Sequence, residues 1–152
     1  MAFKIPDKLT KMQSYFQKMD FEDMIDLELE KLEKKIVQLN QSQIRRGERS
    51  DGSDIKPDYE DITVVLKEKA GTQTPGEPFA VNLYDTGAFY AGFQVLITNN
   101  QVIIDSSDSK SDDLQDKYGE KIFGLQKENL NKVLREVRTS VVTKIKNEIN
   151  GL

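Results

Sequence analysis

The side chains that could do chemistry in this chain are carboxylates, lysines and tyrosines. None of the 152 residues is Cys or His, which excludes thiolate nucleophiles, imidazole bases and metal sites built from either ligand. Asp85 and Tyr90 are the best placed of the remaining groups, because they lie in the densest apolar stretch, residues 82–105. They could serve a carboxylate-based hydrolase, but a capping Asp and a packing Tyr explain them more simply. We therefore expect no catalytic residue and no enzyme.

Acidic side chains also cluster in a polar stretch at residues 47–57, GERSDGSDIKP. Asp51, Ser53 and Asp54 carry the oxygen ligands that calcium prefers, but the order of ligands and the closing Glu of an EF-hand loop are missing. Neither common glycine-rich phosphate-binding pattern occurs in the chain. The stretch therefore predicts an exposed turn, and we expect no metal ion and no cofactor.

Basic side chains are concentrated near the C-terminus, although the formal net charge of the chain is -4. A mildly acidic chain has no general attraction to nucleic acid or to anionic membranes, so any contact with DNA would be local. The candidates are Arg135, Arg138 and Lys144. They either form a solvated helix face or lie towards DNA or an acidic partner.

A hairpin at about residues 93–105 is the element around which the other segments are arranged. Phe93, Val95 and Ile97 recur at every second position, as in a strand. Asn99 and Asn100 then tolerate the left-handed dihedral angles of a tight two-residue turn. The pattern predicts two antiparallel strands.

A small polar corner, Asp85, Thr86 and Gly87, precedes the hairpin. Asp or Thr can accept hydrogen bonds from the next backbone amides, and Gly can adopt dihedral angles closed to other residues. The corner therefore predicts a bend that leads the chain into the hairpin.

Two helices are predicted in the N-terminal third of the chain. Pro6 and Asp7 suit the start of a short amphipathic helix that ends near Met19. Asp20 can cap a second, long helix, and Gly47 closes it.

The long helix carries a narrow apolar seam. Leu29, Leu32 and Ile36 belong to it and recur at spacings of three and four. The seam either packs against a neighbouring subunit or lies on the sheet of its own domain. Spacing alone leaves both alternatives open.

The remaining segments predict helices separated by polar loops. They are a helix at residues 59–69, a loop at 71–78, a loop at 106–113, a short helix at about 114–118 ended by Gly119, and an amphipathic helix at 127–150.

Together these elements predict one α+β domain over residues 1–152. A small antiparallel sheet with a central hairpin is packed by the long helix of the N-terminal half and by the C-terminal helix. Residues 1–19 form a short helix at the periphery. No stretch has the apolar core of a signal peptide or the roughly 20 apolar residues of a membrane span, so we expect cytosolic synthesis and no membrane contact.

Several short motifs follow one another in a fixed order. They are Tyr59, Thr63 and Lys67 (Y-x3-T-x3-K), then LYDTGAF from Leu83 to Phe89, the hairpin, Tyr118 and Gly119, IFGL at residues 122–125, and a terminal helix with Glu128, Asn129 and Leu130. This ordered set, from about residue 41 to the C-terminus, resembles the tail-completion and virion-morphogenesis proteins of tailed bacteriophages.

The resemblance implies a structural virion protein. Such a subunit forms a ring at the phage neck or the head-proximal end of the tail, as a connector, neck or tail-terminator-like protein, and helps to join capsid to tail. Its partners are copies of itself and the neighbouring portal, connector and tail proteins. DNA passes nearby without sequence-specific binding, and the protein, made in the host cytoplasm, ends in the virion. The motif residues with a structural role are Leu83, Asp85, Thr86, Gly87, Phe89, Asn99, Asn100, Tyr118 and Gly119.

A ring needs contacts between subunits, and the two long loops are candidates for them. The candidate interface residues are Gly71, Thr74, Pro75 and Pro78 in the first loop, Asp108 and Lys110 in the second, and Leu29, Leu32 and Ile36 in the helix seam. If the ring surrounds DNA, Arg135, Arg138 and Lys144 would face the channel.

Two alternatives to a virion role remain. The first is a cytosolic adaptor that forms a tight dimer through the helix seam. The second, ranked below it, is the carboxylate-based hydrolase.

Overall fold

The computed structural model describes residues 6–99 and 101–152, and this part of the chain is α+β, as predicted. Its helices are α1 (Asp7–Lys18), α2 (Phe21–Glu30), α3 (Glu33–Arg45), α4 (Asp61–Ala70), α5 (Ala88–Ala91), α6 (Ser111–Tyr118) and α7 (Lys127–Asn150). The strands are β1 (Phe93–Thr98) and β2 (Gln101–Ser106), and a short 3₁₀ helix occupies Glu120–Ile122.

The predicted start of the second helix is confirmed. The backbone amide of Asp23 donates to Asp20 Oδ1 over 3.0 Å, so that Asp20 caps α2. At the other end of the segment Gly47 has a φ of 78°, and its amide donates to the carbonyl of Ile44 over 2.8 Å. A left-handed residue in this position is a common way to end a helix, and glycine adopts it without strain.

The prediction of one unbroken helix between these ends was wrong. The helix is interrupted at Lys31 and Leu32, where the amide of Leu32 donates to the carbonyl of Leu29 over 2.8 Å. That bond spans three residues, as in a 3₁₀ turn. The apolar seam continues across the break, so periodicity alone does not reveal it.

The hairpin has the two predicted antiparallel strands. Val95 pairs with Ile104 and Ile97 with Val102, and successive side chains of a strand point to opposite faces, so these four share one face. Leu96 pairs with Ile103 on the other face, where both side chains are largely exposed. Asn99 has a φ of 48°, as a tight turn requires, whereas Asn100 lies outside the described residues.

The C-terminal half follows the prediction with one shift. Helix α6 begins at Ser111, so the preceding loop is shorter than the predicted 106–113. Gly119 ends α6 with a φ of 90°. Helix α7 spans the predicted Lys127–Asn150.

Two apolar clusters form the interior. The first core contains Ile44, Ile55, Val81, Leu83, Phe89, Tyr90, Tyr118 and Ile122. The second core contains Leu29, Ile36, Val133 and Val137, with Val95, Ile97 and Ile104 of the hairpin packed against it. Helices α2 and α3 therefore bury their seam against α7 and the hairpin of the same chain.

Two buried amide side chains of α3 join the cores. Asn40 donates to the carbonyl of Ile122 over 2.9 Å and accepts from the amide of Gly124 over 3.0 Å. Gln43 donates to the carbonyl of Gly124 over 3.0 Å, and its Oε1 accepts from the amide of Gln126 over 2.9 Å. These bonds fix the segment that leads into α7.

Candidate functional site

A cavity of about 380 Å³ lies between α4 and the segment that carries the polar corner. Its lining includes side chains that are far apart in the sequence: Tyr59, Thr63, Lys67, Leu83, Tyr84, Asp85, Thr86, Gly87, Phe89, Asp108, Lys110, Leu114 and Tyr118. We call it the α4 cavity. The Y-x3-T-x3-K residues, the LYDTGAF residues and Tyr118 therefore meet at one place.

Lys67 reaches into the α4 cavity from α4 and is 8% exposed. Its Nζ donates a hydrogen bond to the carbonyl of Tyr84. The same Nζ lies 5.1 Å from the centre of the Tyr59 ring, which is a cation–π contact. Burial lowers the pKa of the Lys67 ammonium, and the carboxylate of Asp85 partly offsets this shift. The main contacts of Lys67 thus tie α4 to the Tyr84 backbone.

Tyr59 supports an unusual backbone conformation. Leu83 has a φ of 50°, a left-handed value that is strained for a residue with a branched side chain. The amide of Leu83 donates to Tyr59 Oη over 3.1 Å, and Tyr59 Oη donates to Asn82 Oδ1 over 3.4 Å. Burial raises the pKa of Tyr59 to about 12.

Asn82 is a central residue of the site that the sequence prediction missed. It is 4% exposed, its Nδ2 donates to the carbonyl of Thr72 over 2.8 Å, and its Oδ1 accepts from the amide of Tyr84 over 3.2 Å. Tyr90 Oη donates to the Asn82 carbonyl over 2.6 Å. The sequence holds one signal for this residue: Asn82 stands between two apolar residues, Val81 and Leu83. An Asn buried among apolar neighbours needs hydrogen-bond partners.

The polar corner is a bend, as predicted. The amide of Ala88 donates to Thr86 Oγ1 over 3.3 Å, and Gly87 has a φ of 91°. A Cβ at Gly87 would lie 3.1 Å from Tyr84 Oη, so both conformation and space favour glycine there. The Asp85 side chain is 81% exposed and lies 3.4 Å from Lys110 Nζ.

Asp85 and Tyr90, the two candidates for catalysis, have different surroundings. Asp85 lines the α4 cavity, whereas Tyr90 is 5% exposed in the first core and has the Arg45 guanidinium 5.3 Å from its ring centre. Burial raises the pKa of the Tyr90 phenol. The structure therefore gives Tyr90 a packing role and leaves Asp85 open to solvent.

The predicted interface residues of the two loops differ in their exposure and contacts. Thr74 is buried and donates to the carbonyl of Arg45 over 3.0 Å, and Gly71 ends α4 with a φ of 67°. Pro75 and Pro78 are exposed. Asp108 and Lys110 line the α4 cavity, so the second loop contributes to the candidate site itself.

The helix seam lies inside the chain. Leu29 is 5% and Ile36 is 1% exposed, and Leu32 packs against the same second core. Of the two alternatives left open by the spacing, packing within the same chain is the one observed. Leu29 and Ile36 are therefore not free to contact a neighbouring subunit, whereas Leu32 is only partly buried.

The three basic residues proposed for a DNA channel do not share one face of α7. At 3.6 residues per turn, Arg135 and Arg138 lie about 60° apart, whereas Lys144 lies about 180° from Arg135. Arg135 lines a cleft beside α2 with Glu28, and Lys144 lines another beside α1 with Tyr15. A single DNA-facing stripe of these three residues is not formed.

Comparisons of the chain with protein-family models, with curated proteins and with solved structures find no match. None of the helices in the described residues is both long enough and apolar enough to cross a membrane. Over the same residues, no three Asp or Glu side chains come together in a way that could hold a metal ion. What the chain does is therefore inferred from its own residues and their arrangement.

Proposed function

We propose that the chain is a structural subunit that forms a ring at the neck or head-proximal end of the tail of a tailed bacteriophage and joins capsid to tail. The observation that carries the proposal is that the separate sequence motifs come together at the α4 cavity. The motif set was defined only by order along the sequence, yet Tyr59, Lys67, Asp85 and Tyr118 line one site. A set of motifs that acts as one structural unit is more specific than its separate pieces.

The contacts at this site support a structural role. Lys67 and Tyr59 bind backbone groups of the LYDTGAF segment, and Tyr90 Oη donates to the carbonyl of Asn82 just before it. These side chains hold the bend that places the hairpin. A rigid frame of this kind suits a protein that positions surfaces for assembly.

The surface also favours assembly. Large apolar side chains are exposed on several elements, among them Leu66 of α4 at 59%, Leu96 of β1 at 59% and Leu134 of α7 at 51%. Clusters of such side chains on a protein surface commonly mark contact sites. The partners in this proposal are copies of the same chain and the neighbouring portal, connector and tail proteins. DNA passes through the ring without sequence-specific contacts.

The two alternatives receive less support from the geometry. A dimeric adaptor was expected to associate through Leu29, Leu32 and Ile36, but the first and last of these are buried in the chain's own core. A carboxylate-based hydrolase needs an acid in an enclosed cleft, and the Asp85 side chain is 81% exposed.

Deleting the gene from the phage that encodes it tests the proposal. We expect filled capsids and free tails in place of joined virions, and we expect joined virions to return when the protein is supplied from a plasmid. Electron microscopy of the lysate counts the joined virions, the filled capsids and the free tails. Normal numbers of joined, infectious virions without the protein would contradict a role at the junction.

A further inference from the structure

In the described part of the chain the hairpin is a sheet of two strands, so each strand has one edge that no other strand covers. Along an antiparallel ladder, residue pairs that exchange hydrogen bonds alternate with pairs that do not. The amide of Ser107 donates to the carbonyl of Gly92 over 2.8 Å, which fixes the phase of this alternation. In the observed register Val102 and Ile104 belong to pairs that exchange no bonds, so their amides and carbonyls point away from β1.

The free edge of β2 therefore carries backbone groups that lack partners. Within the described residues, no hydrogen bond reaches the amides or carbonyls of Val102 and Ile104. The free edge ends at Ser106, whose amide donates to Asp105 Oδ1 over 2.7 Å. A row of unpaired donors and acceptors at a sheet edge is a template for a further strand.

An apolar groove of about 480 Å³ lies beside this edge. Val102 and Ile104 form one wall of it, Leu130 and Leu134 of α7 form another, and α2 and α3 contribute the rest. Val102 is 39% and Leu134 is 51% exposed, so the groove is open to solvent. A strand paired with β2 would lie over this apolar surface.

The two edges of the hairpin differ in this respect. Val95 and Ile97 of β1 pack against the second core, which contains Leu29 and Ile36 of the helices. Val102 lies on the same face of the hairpin but is exposed. The helices therefore cover the inner face under β1 and leave it open under β2.

We propose that an extended segment of another protein pairs with the free edge of β2 as a third strand and places its apolar side chains in the groove. Main-chain hydrogen bonds give such strand addition its affinity, and pockets for alternate side chains give its specificity. The occupant has an apolar side chain at every second position, because only one face of a strand meets the groove. This binding surface is a property of the single subunit and does not depend on the ring role.

A second copy of this chain does not fit the same place. Its hairpin has α2 and α3 packed on the inner face, and pairing of two β2 edges would bring these helices against α7 of the first copy. A single strand with a bare inner face avoids that clash.

Charge does not select the occupant. The exposed charged residues at helical spacings of three and four from the groove residues are of both signs. They are Glu22, Glu33, Lys127 and Arg138. Recognition therefore rests on the backbone of the strand and on its apolar side chains.

Hydrogen exchange of single amides, measured by NMR on the full chain, tests the proposal. The probe is a short synthetic peptide in which valine and threonine alternate, with a lysine at each end. When about nine-tenths of the protein is bound, exchange at Val102 and Ile104 should slow about tenfold, because only the free protein exchanges. Exchange at Val95 and Ile97, on the free edge of β1, should not change.

Two results of this measurement would overturn the proposal. One is unchanged exchange at Val102 and Ile104 with the peptide in excess. The other is slow exchange at both amides before any peptide is added, which would show that a second copy or another part of the chain already covers the edge.

Two N-methylated peptides supply a matched control. Successive residues of a strand turn their amides to opposite edges, so methylation of the valine amides or of the threonine amides removes the donors of one edge only. One peptide should lose binding in fluorescence anisotropy and the other should keep it. Equal binding of both, or loss of both, would show that no edge pairing occurs and would overturn the proposal.

A substitution in β2 tests the same edge from the side of the protein. Val102→Pro removes an amide that β1 does not use, so circular dichroism should show an intact fold, and the affinity for the peptide should fall about fivefold to tenfold. Val102→Thr keeps the amide and the branched shape and should lose less. Equal affinities of the two variants would contradict the pairing, and if the proline variant unfolds, the N-methylated peptides on the unchanged chain decide.

Discussion

Single side chains in this protein hold distant backbone segments in place. Tyr59 and Asn82 fix the strained Leu83 segment, and Asn40 fixes the turn before α7. In each case the side chain satisfies a backbone group that no helix or strand pairs. Buried backbone groups without such partners are costly.

Asn40→Ala tests this role. The substitution leaves the carbonyl of Ile122 and the amide of Gly124 without their partner, and unsatisfied buried groups cost about 1–3 kcal/mol each, so we expect a loss of about 2–4 kcal/mol in the free energy of unfolding. Urea denaturation measures it. Gln38→Ala removes an exposed amide side chain from the same helix and should change stability by less than about 0.5 kcal/mol. Equal effects of the two substitutions would contradict the account.

Tyr59 predicts a dependence of stability on alkaline pH. Its pKa is raised by burial from 10.0 to about 12, so the unfolded chain loses this proton first. The stabilisation that the folded protein gains from protonated Tyr59 is therefore complete below pH 10, and it is lost as the pH rises towards 12. Lys67 has the opposite effect on stability. Burial lowers the pKa of its ammonium, so losing that proton favours the folded state as the pH rises.

Tyr59→Phe should therefore flatten the decline of stability between about pH 10 and pH 12 in urea denaturation. A residual decline remains, because burial also raises the pKa of Tyr90. Identical slopes in the variant and the unchanged protein would show that Tyr59 does not titrate late in the folded state.

At the scale of elements, hydrophobic period and turn residues predicted most of the fold. Helices α1 and α7 and the hairpin follow from spacing, the start of α2 follows from Asp20, and the end of α6 follows from Gly119. The break between α2 and α3 does not, because the apolar seam runs through it without Gly or Pro. Tertiary packing overrides local preference at such a point.

The candidate site was predictable in its parts but not as a whole. The motif residues were identified from their order, whereas their convergence depends on contacts between segments far apart in the chain. Lys67 and Tyr84 lie 17 residues apart and Asn40 and Ile122 lie 82 apart. Asn82 was missed for the same reason, since its partners, the Tyr59 hydroxyl and the backbone of Thr72 and Tyr84, are brought to it by the fold.

The junction between α5 and β2 depends on Gly92. A Cβ at this residue would lie 2.6 Å from Ser106 Oγ and 2.9 Å from the amide nitrogen of Asp108. Gly92→Ala should therefore destabilise the protein by about 1–3 kcal/mol, the usual cost of overpacking. Gly151→Ala is the matched control, because Gly151 has a similar φ of -79° and its nearest contacts are 3.5 Å or more. Thermal unfolding compares the two, and a stable Gly92→Ala variant would contradict the packing described.

At the scale of the whole molecule, two modest cores leave much apolar surface uncovered. The hairpin contributes three side chains to the second core yet exposes Leu96 and Ile103 on its outer face. Helix α4 also exposes Ile62, Val65 and Leu66. A subunit of a larger assembly accounts for this distribution better than an isolated protein does.

The proposed ring at the capsid–tail junction is tested most directly by cryo-electron microscopy of purified virions from the phage that encodes this chain. The account predicts density for the chain as a closed ring between portal and tail. Complete, infectious virions whose neck contains no copy of this chain would contradict it.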